Sequence, residues 1–263
     1  MIFLPIIVFC FGLIIGSFLN VVILRLNTGR SIATGGSKCA RCSAPLKWYE
    51  LIPVFSFLGL RGKCRSCKTQ ISFQYPIVEL LTALIFTVLY GKIVLAQGFS
   101  THGWVAFVFS AIIASLLIII TIYDFKHKII PDKIVYPFIV LAFISIIWKV
   151  ATIPGFSAQH AMFAGILLAA PFFCFWLFSH GRLMGFGDVK LALGIGFLVG
   201  ITASAAVFVF SFWLGAIIGL ILIALSRTHG MKSQIPFAPF MIMALFIVSV
   251  LGIGISAFFP LWQ

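Results

Sequence analysis

Acidic residues are nearly absent from this chain: 5 Asp and Glu stand among 263 residues, against 18 Lys and Arg. Charged residues of both signs make up only 9% of the sequence, 62% is hydrophobic, and the mean hydropathy is +1.22. So little polar surface cannot cover a water-soluble globule, and the composition is that of a polytopic membrane protein. The nucleophile and metal signatures of other hydrolases are missing too, with no Gly-x-Ser-x-Gly and no His-Glu-x-x-His. The first apolar run, Met1–Ile23, has no basic segment before it and no clear small-x-small cleavage site after it, so a retained helix is expected rather than a signal peptide.

What is present is a series of apolar runs of the length a bilayer requires, roughly 20 residues each. They predict an all-α polytopic membrane protein of about eight transmembrane helices with both termini outside. The chain divides at 1–24 (helix 1), 25–75 (a polar segment) and 76–263 (helices 2–8, membrane-embedded). If the polar segment is cytoplasmic, counting outward leaves only Lys92 and Lys149 at the outer ends of helices. That asymmetry is the one cytoplasmic loops show. It accounts for the net charge of +13 without nucleic acid.

The segment 25–75 carries nine basic residues and the single acid Glu50. About fifty residues are too few for a self-sufficient core, so a staple is expected. Cys39-x-x-Cys42 and Cys64-x-x-Cys67 provide one, with 21 residues between the pairs. This is near the spacing of four-cysteine zinc sites, and four protein ligands leave no open position, which favours a structural metal. Cys10 and Cys174 lie in apolar helices and are expected to be small core residues.

With acids so scarce, each carboxylate in an apolar setting needs a reason. Asp132, just before an apolar run, is expected to be a helix N-cap. Glu79, one turn inside helix 2, either pairs with a buried donor or binds a positive group such as a substrate's amino terminus. Asp124 ends about twenty apolar residues, and Asp188 opens a helix within Gly185-Phe186-Gly187-Asp188. The hydrophobic pattern puts these two aspartates at one membrane depth. Two neighbouring carboxylates do not both ionise readily, and such a pair can share the work of an aspartic protease: one takes a proton from water, the other hydrogen-bonds the scissile carbonyl. The helix ends favour the charge on Asp188, at an N-terminus, over Asp124, at a C-terminus. Gly185 and Gly187 would let another backbone approach closely. Two aspartates in an ion-binding transporter or assembly factor would give the same local pattern.

Taken as a set, these residues resemble the type IV prepilin peptidases, and in matching order along most of the chain. Gly16-Ser17-Phe18-Leu19-Asn20 is similar to that family's opening helix. Trp48-Tyr49-Glu50-Leu51-Ile52-Pro53, the Cys64-x-x-Cys67 region and Phe73-Gln74-Tyr75-Pro76-Ile77-Val78-Glu79 resemble its cytoplasmic domain and second helix. Asp124 with Ile130-Pro131-Asp132, and Gly185-Phe186-Gly187-Asp188-Val189-Lys190, resemble its catalytic signatures. Glu50 stands where Asp is usual and Ala238 where Gly is usual. The resemblance implies catalysis by Asp124 and Asp188 in a membrane aspartic protease domain over 76–263, located in the bacterial inner membrane with its active site facing the cytoplasm. It further implies leaders of type IV prepilins and pseudopilins as substrates, cut after Gly, and methylation of the new amino terminus with S-adenosylmethionine. No Gly-x-Gly-x-x-Gly turn is present for a Rossmann-type cofactor site, so a methyl-transfer site would have to be of another kind. A presenilin-like intramembrane protease shares Gly-x-Gly-Asp, but the four-cysteine segment argues against it.

Overall fold

The computed structural model describes residues 3–32, 34–96, 99–225 and 236–252, and these contain helices and turns with no β-strand. Six helices are long and apolar enough to cross a membrane: α1 (Phe3–Arg25), α3 with its π-helical end (Gln74–Leu95), α4 (Thr101–His127), α5 (Asp132–Thr152), α6 (Ala158–Phe178) and α8 (Ile201–Leu225). Two shorter apolar helices, α7 (Phe186–Val199) and α9 (Ala238–Leu251), complete the eight apolar segments expected from the sequence. Arg227, His229 and Lys232, and the expected continuation of the last helix beyond residue 252, lie outside the described residues.

Many of these helices are apolar on their outward faces as well. Phe11, Ile14 and Phe18 of α1 and Ile217, Leu220 and Ile221 of α8 all point outward, which suits lipid and not water. Cys10 and Cys174, expected in the core, are exposed. The correction has a simple cause: in a bilayer the outside of a helix is as hospitable to a thiol as its inside.

The chain forms two compact units, Met1–Ile119 and Ile120–Gln263. In the first, α1 lies against α3 at glycines. A Cβ on Gly12 would sit 2.5 Å from Ala83 Cα, and one on Gly16 would sit 2.6 Å from Glu79 Cα. Both neighbours are backbone atoms, so close approach needs these glycines. Gly12→Leu is expected to lower the melting temperature in detergent, with an overpacking cost of about 1–3 kcal/mol. Asn20, buried at membrane depth, donates to the Gly16 and Tyr75 carbonyls and accepts from Gln74 Nε2 at 3.2 Å. Its polarity thus ties α1 to the start of α3.

In the second unit α7 packs against α5 and α6. Here a Cβ on Gly196 would meet Gly165 Cα at 2.6 Å. At 14 residues, α7 extends only about 21 Å, less than the roughly 30 Å hydrocarbon core. Its C-terminal carbonyls therefore need partners, and Lys149 at the end of α5 donates to Leu198 O at 2.6 Å. A cation at that end also complements the helix dipole. The outer lysine noted in the sequence thereby has a structural use.

Candidate functional site

Asp124 lies in the last turn of α4 and Asp188 in the first turn of α7. Their carboxylates are close enough for the charge on one to act on the other. Asp124 is buried, at 5% exposure, whereas Asp188 is partly open.

The sequence reading missed the partner of Asp124. Its Oδ2 accepts the Ala238 N–H at 3.2 Å, and Ala238 is the first residue of α9. The orphan amides of that helix N-terminus face a carboxylate that was expected to feel only the unfavourable end of α4. Each aspartate is consequently associated with a helix start, and helix ends alone no longer favour the charge on Asp188. The signal available in the sequence was the Pro-Phe-Ala-Pro-Phe run, which marks a helix start; its pairing with Asp124, 114 positions away, could not be read from it.

The two glycines differ in surroundings. Gly185 precedes α7 with extended backbone (φ −77°, ψ 150°), and a Cβ there would meet nothing nearer than Asp188 Oδ2 at 3.6 Å. Gly187 is backed by Ile130, whose Cβ would lie 2.9 Å from an added methyl. Open space for another chain is thus found at Gly185, while Gly187 lets α7 settle onto Ile130.

Asp132 does not cap α5. It is the first helical residue after Pro131, with no side-chain cap, and pairs with Lys190 Nζ at 2.7 Å. The same ammonium lies 4.7 Å from the Tyr136 ring centroid and 5.4 Å from that of Phe186. Since Asp132 is mostly exposed, Asp132→Asn is expected to cost no more than about 1 kcal/mol in thermal or denaturant unfolding.

In the first unit, Glu79 is buried and its Oε2 accepts the Val54 N–H at 2.7 Å, with Ser17 as a further partner. The carboxylate is thus paired within the protein. Glu50 acts locally, since its Oε2 accepts the Lys47 N–H at 2.8 Å across the short 3₁₀ turn Trp48–Leu51, a capping-box contact that the extra methylene of Glu helps to span.

The four cysteines of the first unit form a second constellation. Residues 37–46 and 62–71 repeat one turn. Cys39 N–H donates to Ala44 O and Cys64 N–H to Thr69 O, at 2.9 and 2.8 Å. The bridges Lys38–Pro45 and Lys63–Gln70 close each turn, and Ser43 and Lys68 take matching positive φ values of 57° and 59°. All four Sγ atoms lie within 4.8 Å of one another, with Cys39 and Cys67 3.8 Å apart. Zinc–sulfur bonds of about 2.3 Å in a tetrahedron put sulfurs about 3.8 Å apart, so the donor set fits a metal ion. Cys67 is drawn down to about 6 by the Thr69 hydroxyl and the Thr69 N–H, and Cys39 lies below the usual thiol value through the Cys42 and Arg41 amides, while Cys42 is pushed up to about 11 against the pull of the Ala44 amide, chiefly by the neighbouring Cys39 thiol. Amides that stabilise thiolates also favour binding a dication.

Fold and site together define a polytopic helical membrane protein whose second unit holds an Asp124–Asp188 pair next to a Gly-x-Gly turn and whose first unit holds a four-thiol cluster. The family models agree: that of the bacterial peptidase A24 N-terminal domain matches residues 10–93, and that of the type IV leader peptidase family matches residues 111–257. The chain belongs to the type IV leader peptidase family. It is 35% identical over 257 residues to the prepilin leader peptidase/N-methyltransferase of Bacillus subtilis, covering 96% of each chain. Proteins of the same name from Aeromonas salmonicida and Pseudomonas aeruginosa are each 31% identical, over 96% and 92% of this chain and 92% and 88% of theirs. No solved structure gives a significant match.

Proposed function

We propose that this protein cleaves the leaders of type IV prepilins and pseudopilins after Gly, using Asp124 and Asp188. The observation that supports the reading is that two carboxylates from distant segments, Asp124 buried and Asp188 half-buried, lie within reach of each other's charge. With one of the pair ionised and the other protonated, the ionised carboxylate takes a proton from water as the oxygen adds to the scissile carbonyl. The protonated one hydrogen-bonds the carbonyl oxygen. Collapse of the adduct with proton transfer to nitrogen releases the leader and the mature amino terminus. Gly185, where nothing crowds the backbone, supports close passage of the substrate chain; Gly187 supports it by seating α7. Glu79, already paired, is the less favourable candidate for the substrate's amino terminus.

The remaining assignments follow the family. Domain limits are proposed as 1–24, 25–75 and 76–263. The proposed location is the bacterial inner membrane, with the active site toward the cytoplasm, the side that the basic loops favour. Cys39, Cys42, Cys64 and Cys67 are assigned to structural zinc, which supplies cross-linking of the two turns and no open ligand position. A second activity, methylation of the new amino terminus with S-adenosylmethionine, is proposed from the relatives' names. The described residues hold no strand–helix repeat of the Rossmann kind.

Purified protein incubated with a prepilin and S-adenosylmethionine tests both activities at once. Mass spectrometry of the mature pilin is expected to show cleavage after the leader Gly and an added methyl on the new terminus. Cleavage without the methyl would remove the second activity and leave the first; no cleavage would favour the transporter or assembly-factor reading.

A further inference from the structure

The loop between α1 and α3 has an outer side that does not suit water. Trp48, Phe55, Leu58 and Phe73 are 77, 68, 64 and 71% exposed within a stretch of 26 residues. In a domain standing clear of the bilayer such a cluster would be an aggregation liability.

Two contacts set the level at which this segment lies. The Val54 N–H donates to Glu79, which is five residues inside α3 (Gln74–Tyr90), hence about 7.5 Å along the helix from its start. The ring of Phe57 in the short helix α2 (Phe55–Gly59) packs on Phe73, the residue immediately before α3, at 5.3 Å. The Glu79 side chain tilts back toward the start of its helix and Phe73 precedes it, so residues 54–57 lie at the N-terminal end of a helix long enough to span a membrane. Val54 makes the necessary turn with φ 61°. At that level of a span the surroundings are the headgroups and upper acyl chains.

The chemistry around the cluster agrees. Lys47 lies 6.0 Å and the Arg65 guanidinium 5.5 Å from the Tyr49 ring centroid, and Arg65 also donates to the Tyr49 hydroxyl. Trp and Tyr rimmed by cations form the usual belt at a membrane boundary. With nine basic residues and one acid, segment 25–75 complements an anionic lipid surface. A groove of about 260 Å³ beside α2 is lined by Ile52, Phe55 and Leu60 together with Tyr49, Glu50 and Ser56.

We propose that Trp48–Leu60 is an interfacial element, with Trp48, Phe55 and Leu58 inserted among the phospholipids at the boundary of headgroups and acyl chains. The two cysteine turns on either side of this element are then held against the bilayer surface, not suspended above it.

The test uses the full chain in vesicles of phosphatidylethanolamine and phosphatidylglycerol, with the photoreactive residue p-benzoylphenylalanine placed at position 55 or 58. After irradiation, intact mass is expected to show adducts of phospholipid mass at both positions. Folded protein giving no phospholipid adduct would overturn the proposal, as would adducts that go to an added prepilin peptide in preference to lipid. Trp48→Phe gives an independent measurement that leaves α2 intact. The emission difference between parent and variant reports Trp48 alone, and brominated phospholipids are expected to quench it by at least about half. A Trp48 signal insensitive to brominated lipid would overturn the proposal even if the photoreactive variants failed to fold.

Discussion

Asp188→Asn is expected to reduce prepilin cleavage by about 10²–10⁴-fold or more, the range that a lost general acid or base usually costs, and Asp124→Asn to do the same. Asn matches Asp in shape and keeps an oxygen that accepts a hydrogen bond, but it cannot take a proton from water. In Asp124→Asn the side-chain oxygen can still accept the Ala238 N–H, so the start of α9 should hold. In Asp188→Asn the replacement sits in the first turn of α7, where Asn is well tolerated. Both variants should therefore melt close to the parent temperature, which separates chemistry from folding. The double variant is expected to be no slower than either single one, because residues that act as a unit lose their effect together. Initial rates on a detergent-solubilised prepilin provide the check. Substantial cleavage retained by either single variant would exclude the shared mechanism.

The pairing behind that expectation was proposed from the sequence on the ground of depth. Apolar runs end where the membrane ends, so Asp124 and Asp188 could be put at one level before any contact was known. The helices themselves were legible for the same reason: lipid requires each span to satisfy its own backbone, and the runs of the right length are helices. The two Cys-x-x-Cys pairs were readable as one cluster too, since their spacing is local.

Contacts made across the sequence were not readable. Ala238 looked like a mild departure from a family pattern, yet its amide is the donor that Asp124 accepts. Asp132 was correctly put at a helix start, but with the wrong role, because its partner Lys190 comes from another helix. Glu79 was left between two roles until the path of the loop brought Val54 N–H to it. Gly187 reads like Gly185 in the sequence, and only the position of Ile130 separates them. Cys10 and Cys174 fail for a different reason, since apolarity does not tell core from lipid face in a membrane protein. In each case the residue type was a sound guide to chemistry, and the missing information was which distant backbone or side chain the fold would bring to it.

Removing the metal should have the other large effect, confined to the segment between α1 and α3. Apart from the short helices Trp48–Leu51 and Phe55–Gly59, the described residues of that segment hold no helix, and its two turns of two cysteines each are held by a few backbone bonds and two isolated bridges. So small a core does not stand alone, and a structural zinc in such a setting supplies folding free energy directly, about 10–16 kcal/mol in isolated zinc-finger peptides. Elemental analysis is expected to find one zinc per chain, falling to near zero in a Cys39→Ser, Cys64→Ser variant. Trypsin should then cut at Arg41, Lys63, Arg65 or Lys68 at least about 100-fold faster, since accessibility follows the population of the opened segment. The far-UV circular dichroism should change little, because the transmembrane helices supply nearly all of that signal. A parent protein with no zinc and freely titrating thiols would remove the structural-metal assignment. A variant that lost its helical signal together with its zinc would show that the metal supports more of the chain than these two turns.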